Sequence, residues 1–149
     1  MFQESFGMRL RGAYLTFHRF GNAHFEPVGM TADQVVILTL LAEEDGITQR
    51  AVVERSYSDP NTIAAMLVRL EKKKLIRREP HPDDGRARCV YLTPQGRKLQ
   101  RRLWEGWEDY LEKLDSAFRP KDLEILRSLL ERVPAIVSAL ADTPKEIVA

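Results

Sequence analysis

SDPNTIAAMLVRLEKKKLIRREPHPDDGRARCVYLT, from Ser58 to Thr93, is the stretch on which the reading of the whole chain turns. Asp59 and Pro60 open it as an acidic N-cap followed by the imino acid best suited to the first helical position, where no backbone N–H is needed. Apolar residues then fall at Ile63, Met66, Leu67 and Leu70, the spacing of one buried helix face, while Asn61, Thr62, Ala65, Val68, Arg69 and Lys72 turn elsewhere. After Lys74 the period changes to two. Ile76 is followed by a loop of His81, Pro82, Asp83, Asp84 and Gly85, and then Val90 and Leu92 alternate with Arg88, Cys89 and Tyr91. The pattern predicts a helix with one free face, followed by a β-hairpin.

Charge makes this arrangement specific. From Arg69 to Arg102 there are twelve Lys or Arg against four Asp or Glu, although the whole chain is only +1, so the remainder is net acidic. A basic block on a short helix and an adjoining hairpin is the footprint of a surface that neutralises phosphates. Lys72 to Lys74 alone read better as a solvated face; the two halves of the block, joined by an arginine-tipped loop, favour the phosphate reading.

The sequence upstream supplies a partner for that helix. Thr48 caps a short segment, TQRAVVERS, with Ala51, Val52 and Val53 facing inward, and Tyr57 and Ser58 connect it to Pro60. Two short helices joined by such a turn follow the helix-turn-helix plan, in which the start of the second enters the major groove. Further upstream, Thr31 and Gln34 form a capping box for TADQVVILTLLAEED, whose Val35, Val36, Leu38, Leu40 and Leu41 cover most of its circumference and place it at the centre of the fold. Asp45 and Gly46 stop it. The first helix, about 4–25, is aromatic-rich, with Phe6, Leu10, Ala13, Tyr14, Phe17 and Phe20 at helical spacing.

Downstream, Pro94 and Gly96 turn the chain into a long helix with a seam of Leu99, Leu103, Trp107, Leu111, Leu114 and Phe118. Arg119 and Pro120 break it before a last helix carrying Leu123, Leu126, Leu129, Leu130, Val133, Ile136, Val137 and Leu140, which Pro134 should kink or end. The tail after Asp142 reads as frayed. The first and the last two helices would expose long apolar stripes in a monomer, so self-association into a symmetric dimer is expected. A twofold also suits DNA, since two reading helices can then sit on a palindrome with half-sites roughly 34–36 Å apart.

Composition bounds the alternatives. At 149 residues a single domain is expected, and no run approaches the roughly 18 apolar residues of a membrane span. Arg9 and Arg11 interrupt any signal-peptide core, which gives a cytoplasmic reading. No nucleophile with a base, paired-carboxylate site or phosphate-binding glycine loop marks an enzyme, and no cofactor is called for. His18, His24 and His81 lack metal-site spacing, and Cys89 has no second cysteine to resolve a sulfenic acid.

The order of elements, with DPNTIAAMLVRLEKKKLIRR and DDGRARCVYLTPQGRKL, resembles the multiple antibiotic resistance regulator (MarR) family of winged helix-turn-helix repressors, from about Phe6 to Leu140. The hairpin tip Asp84-Gly85-Arg86 leads into Leu92-Thr93-Pro94-x-Gly96, and the Asp-Pro start, the Arg69-Leu70-Glu71 centre and the Leu75-Ile76-x-Arg78 exit also match. Lys74 departs from the pattern, where the family usually has a glycine in a left-handed conformation. The resemblance implies a mainly α fold with a small β-hairpin wing: one unit over 1–149, a winged helix-turn-helix at about 31–93, and dimerisation helices at about 4–25 and 95–141. It implies that Pro60, Asn61 and Thr62 lie at the groove-facing start of the recognition helix, with Ala65 and Arg69 further along. Arg86 would enter the minor groove, oriented by Asp84, and Thr48, Gln49, Arg50, Arg78 and Arg88 would contact phosphates.

The expected function is that of a sequence-specific regulator of transcription. The resemblance implies a repressor that binds a palindromic operator in double-stranded DNA as a homodimer and is released by a small aromatic or phenolic effector. Tyr14, Phe17, His18, Phe25, Met30 and Trp107 could line the effector cavity, although each is also a plausible core residue. The competing reading is a winged-helix module for protein contacts, which has no need of a basic wing.

Overall fold

Side-chain caps set where the helices begin. In the computed structural model, which describes residues 1–142, α1 (Phe6–Phe25) starts at Ser5, whose Oγ accepts from the Met8 amide at 3.3 Å. A 3-10 turn, Phe2–Glu4, precedes it, so the helix begins two residues later than its apolar period implies. Helix α2 (Ala32–Glu43) carries the capping box expected of Thr31 and Gln34: the Gln34 amide donates to Thr31 Oγ1 at 3.2 Å and the Thr31 amide to Gln34 Oε1 at 3.1 Å. Thr48 Oγ1 accepts from the Ala51 amide at 3.1 Å to start α3 (Gln49–Ser56), and Asp59 Oδ1 accepts from the Thr62 amide at 2.9 Å to start α4 (Pro60–Lys72). Each cap stabilises its helix by about 1 kcal/mol.

The hairpin has a third strand that the sequence does not announce. Strand β1 is only Ile47–Thr48; β2 is Ile76–Pro80 and β3 is Arg88–Leu92, and the antiparallel order is β1-β3-β2. Ile47 faces Val90 and Thr48 faces Cys89 on one side of β3, while Ile76 faces Leu92 and Pro80 faces Arg88 on the other. Cys89 is not on an open face as its alternation suggests; it is buried at 3% exposure. Two residues are too few to show a period of two.

The core sits under α2 and α4. Ile63, Leu67 and Leu70 are fully buried and Met66 nearly so, as the spacing predicts. At roughly 1.5–3 kcal/mol per side chain this face outweighs the cap several-fold. Ile37, Leu38 and Leu41 of α2 are equally buried, but Val36 is 44% exposed and Leu40 only half-buried, so α2 keeps an open edge where all-round burial was expected. In α3 only Val52 is buried; Ala51 and Val53 are intermediate.

Two tight contacts tie the hairpin to its neighbours. Asp45 Oδ1 accepts from the Leu92 amide at 2.9 Å while its Oδ2 accepts from Arg97 Nη2 at 2.7 Å. The Thr93 hydroxyl donates to the Lys74 carbonyl at 2.7 Å and accepts from the Gly96 amide at 3.0 Å, closing the exit of α4 against the start of α5 (Pro94–Ser116). A Cβ at Gly96 would stand 1.9 Å from the Leu75 carbonyl oxygen, so only glycine permits this approach.

The chain forms two compact units, Met1–Glu105 and the part from Gly106 onward. In the second, α5 ends and α6 (Pro120–Ala141) follows, with Arg127 Nη2 donating to Asp115 Oδ2 at 2.5 Å. Of the kink or end expected at Pro134, the end does not occur: α6 runs on to Ala141 without that residue's N–H. Phe118 lies beyond α5, not on its seam. Ile125, Leu126, Leu129, Leu130, Ile136, Val137 and Leu140 are all exposed in the single chain. The segment read from sequence as a frayed tail lies outside the described residues. Among the described residues no single helix is long and apolar enough to cross a membrane.

Candidate nucleic-acid interface

The pairing of Thr48 with Cys89 pins the start of α3 beside the hairpin, and the turn after α3 delivers α4 to the same face. Between them lies an open groove of about 590 Å³, lined by Thr48, Gln49, Arg50, Val53, Pro60, His81, Asp84, Arg86, Ala87 and Arg88. Seven residues singled out from the sequence meet here: Thr48, Gln49, Arg50, Pro60, Asp84, Arg86 and Arg88. Asn61, Thr62, Ala65 and Arg69 are exposed on the outer face of α4.

The cations divide by what already holds them. Arg69 and Arg86 have no ion-pair partner among the described residues, and Arg50, though its Nε donates to Glu54 Oε1 at 3.1 Å, stays 88% exposed. Arg78 is different. Its Nη2 and Nε both donate to Glu71 Oε2, at 2.7 and 3.2 Å, and its amide to Glu71 Oε1 at 3.3 Å. That hydrogen bonding holds the Glu71 carboxyl below its ordinary value. Arg78, for which the resemblance implied a phosphate contact, therefore braces β2 on α4.

Asp84 bonds to Arg86 as expected, but to its backbone. Its Oδ1 accepts from the backbone amide of Arg86 at 3.0 Å, and its own carbonyl accepts from the Ala87 amide at 3.0 Å. No ion pair joins the Asp84 carboxylate to the Arg86 guanidinium among the described residues. A short side chain two positions upstream reaches the amide more readily than the end of a long arginine, so Asp84 shapes the loop and leaves the guanidinium unheld.

Two residues of this face were not singled out as site residues in the sequence. His81 lines the groove, its Nδ1 accepting from the Asp83 amide at 3.1 Å; as a lone histidine it carried only a metal-ligand reading. Asp59 reads as a cap alone, yet its Oδ2 also accepts the Thr62 hydroxyl proton at 2.5 Å. These bonds, the hydroxyl's first, hold the exposed Asp59 carboxyl below its ordinary value.

The residues expected to line an effector cavity differ in exposure within the first unit. Phe25 and Met30 are 2% and 4% exposed and pack as core, with Met30 Sδ 3.8 Å from Lys73 Nζ. Tyr14 and Phe17 are exposed along α1, and Trp107 belongs to the second unit. Tyr14 stacks on His18 with centroids 5.4 Å apart. His18 Nε2 lies 3.2 Å from both Asp33 carboxylate oxygens, its Nδ1 faces Asn22 Nδ2 at 3.4 Å, and Asn22 Oδ1 accepts from the Ala32 amide at 2.8 Å. Partial burial, then the Asp33 charge, push the Tyr14 hydroxyl up. No group of three or more His, Cys, Asp or Glu side chains placed to hold a metal occurs among the described residues.

A helix-turn-helix with a three-stranded sheet ending in an arginine-tipped hairpin defines the winged helix-turn-helix class. Residues 30–87 match the MarR family. It is 40% identical over 70 residues to the transcriptional regulator HosA of Escherichia coli O111:H-, a match covering 47% of this chain and 52% of HosA. The chain thus spans about half the length of the curated relatives it matches. Among solved structures it is similar to Bordetella bronchiseptica BpsR, whose DNA binding is regulated by 6-hydroxynicotinic acid (TM-score 0.80, 25% identity, 97% of this chain and 98% of that one). It also shares its fold with S. aureus MepR, solved as a DNA complex (TM-score 0.81, 22% identity, 89% and 98% covered).

Proposed function

We propose that the chain is a sequence-specific, double-stranded-DNA-binding regulator of transcription, a repressor that binds a palindromic operator as a homodimer. The observation that carries this reading is the groove in which Thr48, Gln49, Arg50, Pro60, Arg86 and Arg88 converge, beside the exposed Asn61, Thr62, Ala65 and Arg69. Backbone contacts from Thr48, Gln49, Arg50 and Arg88 position the protein, the start of α4 reads base edges, and Arg86 enters the minor groove. The exposed apolar faces of α1 and α6 supply the dimer contact. Release by a small aromatic or phenolic acid, with Tyr14, Phe17 and His18 among its contacts, is the accompanying proposal, supported by the regulation of BpsR by such a molecule.

The test is retention of promoter DNA, taken from upstream of the gene for this chain, in an electrophoretic shift across a salt series. Several phosphate contacts predict affinity falling with a log slope of roughly 0.9 per phosphate neutralised. Arg86→Ala is expected to weaken binding about tenfold, as for the loss of one well-placed contact. Retention no better than that of random DNA at every salt concentration would sink the reading and favour a protein-contact module.

A further inference from the structure

Thr62 sits in the first turn of α4 on its exposed face, and its hydroxyl proton is already committed. Thr62 Oγ1 donates to Asp59 Oδ2 at 2.5 Å, while the Thr62 amide donates to Asp59 Oδ1 at 2.9 Å. The direction of the first bond follows from charge. A carboxylate is an acceptor only, and Asp59 is held ionised by these same two bonds, so the proton between the oxygens is the threonine's. What Thr62 turns outward is therefore lone pairs. A free threonine hydroxyl rotates to suit either kind of base edge; this one cannot without breaking the bond to Asp59.

In the major groove the two kinds of edge are well separated. Adenine and cytosine present amino donors, N6 and N4, where guanine and thymine present the acceptors O6 and O4. Resting on the reading of α4 as the DNA-facing helix, we infer that Asp59 makes Thr62 an acceptor-only reader, so that the base it meets carries an exocyclic amino group, adenine or cytosine. A keto oxygen at that place would confront the lone pairs of Thr62 and the Asp59 carboxylate behind them. Asp59 touches no base in this scheme: it is a positioning residue that sets the polarity of its neighbour.

Asp59→Asn should reverse the polarity of Thr62. In Asp59→Asn the side-chain oxygen still accepts from the Thr62 amide, and asparagine caps helices as well as aspartate. Its amide nitrogen now donates to Thr62 Oγ1, which frees the hydroxyl proton to point outward. The experiment is selection of bound duplexes from a randomised library by full-length wild type, Asp59→Asn and Thr62→Val, with thermal unfolding of each as the control for folding. Wild type is expected to show one position per half-site at which adenine or cytosine exceeds guanine or thymine about fivefold, the scale of a single directed hydrogen bond. Thr62→Val should level that position alone, and Asp59→Asn should turn it toward guanine or thymine. A wild-type preference for guanine or thymine at the position levelled by Thr62→Val would overturn the inference. So would an unchanged preference in a folded Asp59→Asn protein. Enrichment of no sequence at all by wild type would instead bring down the DNA-reading assignment on which this inference stands.

Discussion

Lys74 holds the left-handed conformation, φ +58°, that closes α4. For a residue with a Cβ this costs roughly 1–2 kcal/mol, part of which glycine would return as greater freedom of the unfolded chain. Lys74→Gly is therefore expected to stabilise the protein by about 0.5–1 kcal/mol, read as a raised denaturant midpoint at constant slope. The turn was legible in the sequence as a departure at one position; what was not legible is that the backbone keeps its shape and the lysine yields. Likewise Asp59, Thr31 and Thr48 announce themselves as caps because capping is local. The outward polarity of Thr62, the Asp84 bond to the Arg86 amide and the pairing of Arg78 with Glu71 depend on rotamers and on chain brought from a distance, which spacing does not encode.

Helices and strands here are joined by a few specific contacts, and two of these can be tested. Arg78 holds the Glu71 carboxyl below its ordinary value, so its folded value lies under its unfolded one. Stability from this pair is thus fully present above the unfolded value near 4.3 and is lost as pH falls through the lower folded value. Glu71→Gln should be less stable than wild type at pH 7 by under about 1 kcal/mol, since the pair is partly screened by solvent. The difference should shrink as the pH is lowered below that unfolded value, and a gap that did not shrink in denaturant titrations would show that charge is not the cause. At the seam between α4 and α5, Gly96→Ala would force its methyl against the Leu75 carbonyl. A loss of about 2–3 kcal/mol and a lowered melting temperature are expected. The sequence marks Gly96 only as a turn residue, because the carbonyl that excludes a side chain belongs to a residue 21 positions earlier.

At the scale of the whole molecule, the apolar stripe of α6 is the contact proposed for the dimer. Leu126 and Leu130 lie one turn apart and are exposed in the single chain. The double variant Leu126→Glu, Leu130→Glu is expected to keep its helical circular dichroism, sediment as a monomer and bind operator at least about tenfold more weakly, having lost the second half-site. Dimeric sedimentation of this variant would move the contact elsewhere. The amphipathic pattern of α6 made the stripe legible; of the kink or end read from Pro134, the end is excluded, since α6 runs through it to Ala141. Cys89 carries a different consequence. Its thiol lies on the central strand, opposite Thr48 of β1. An alkylating reagent can reach it only in the moments when the sheet parts, so the pace of labelling counts those openings. The chain carries its own clock, and anything that clamps α3 against the hairpin should slow it.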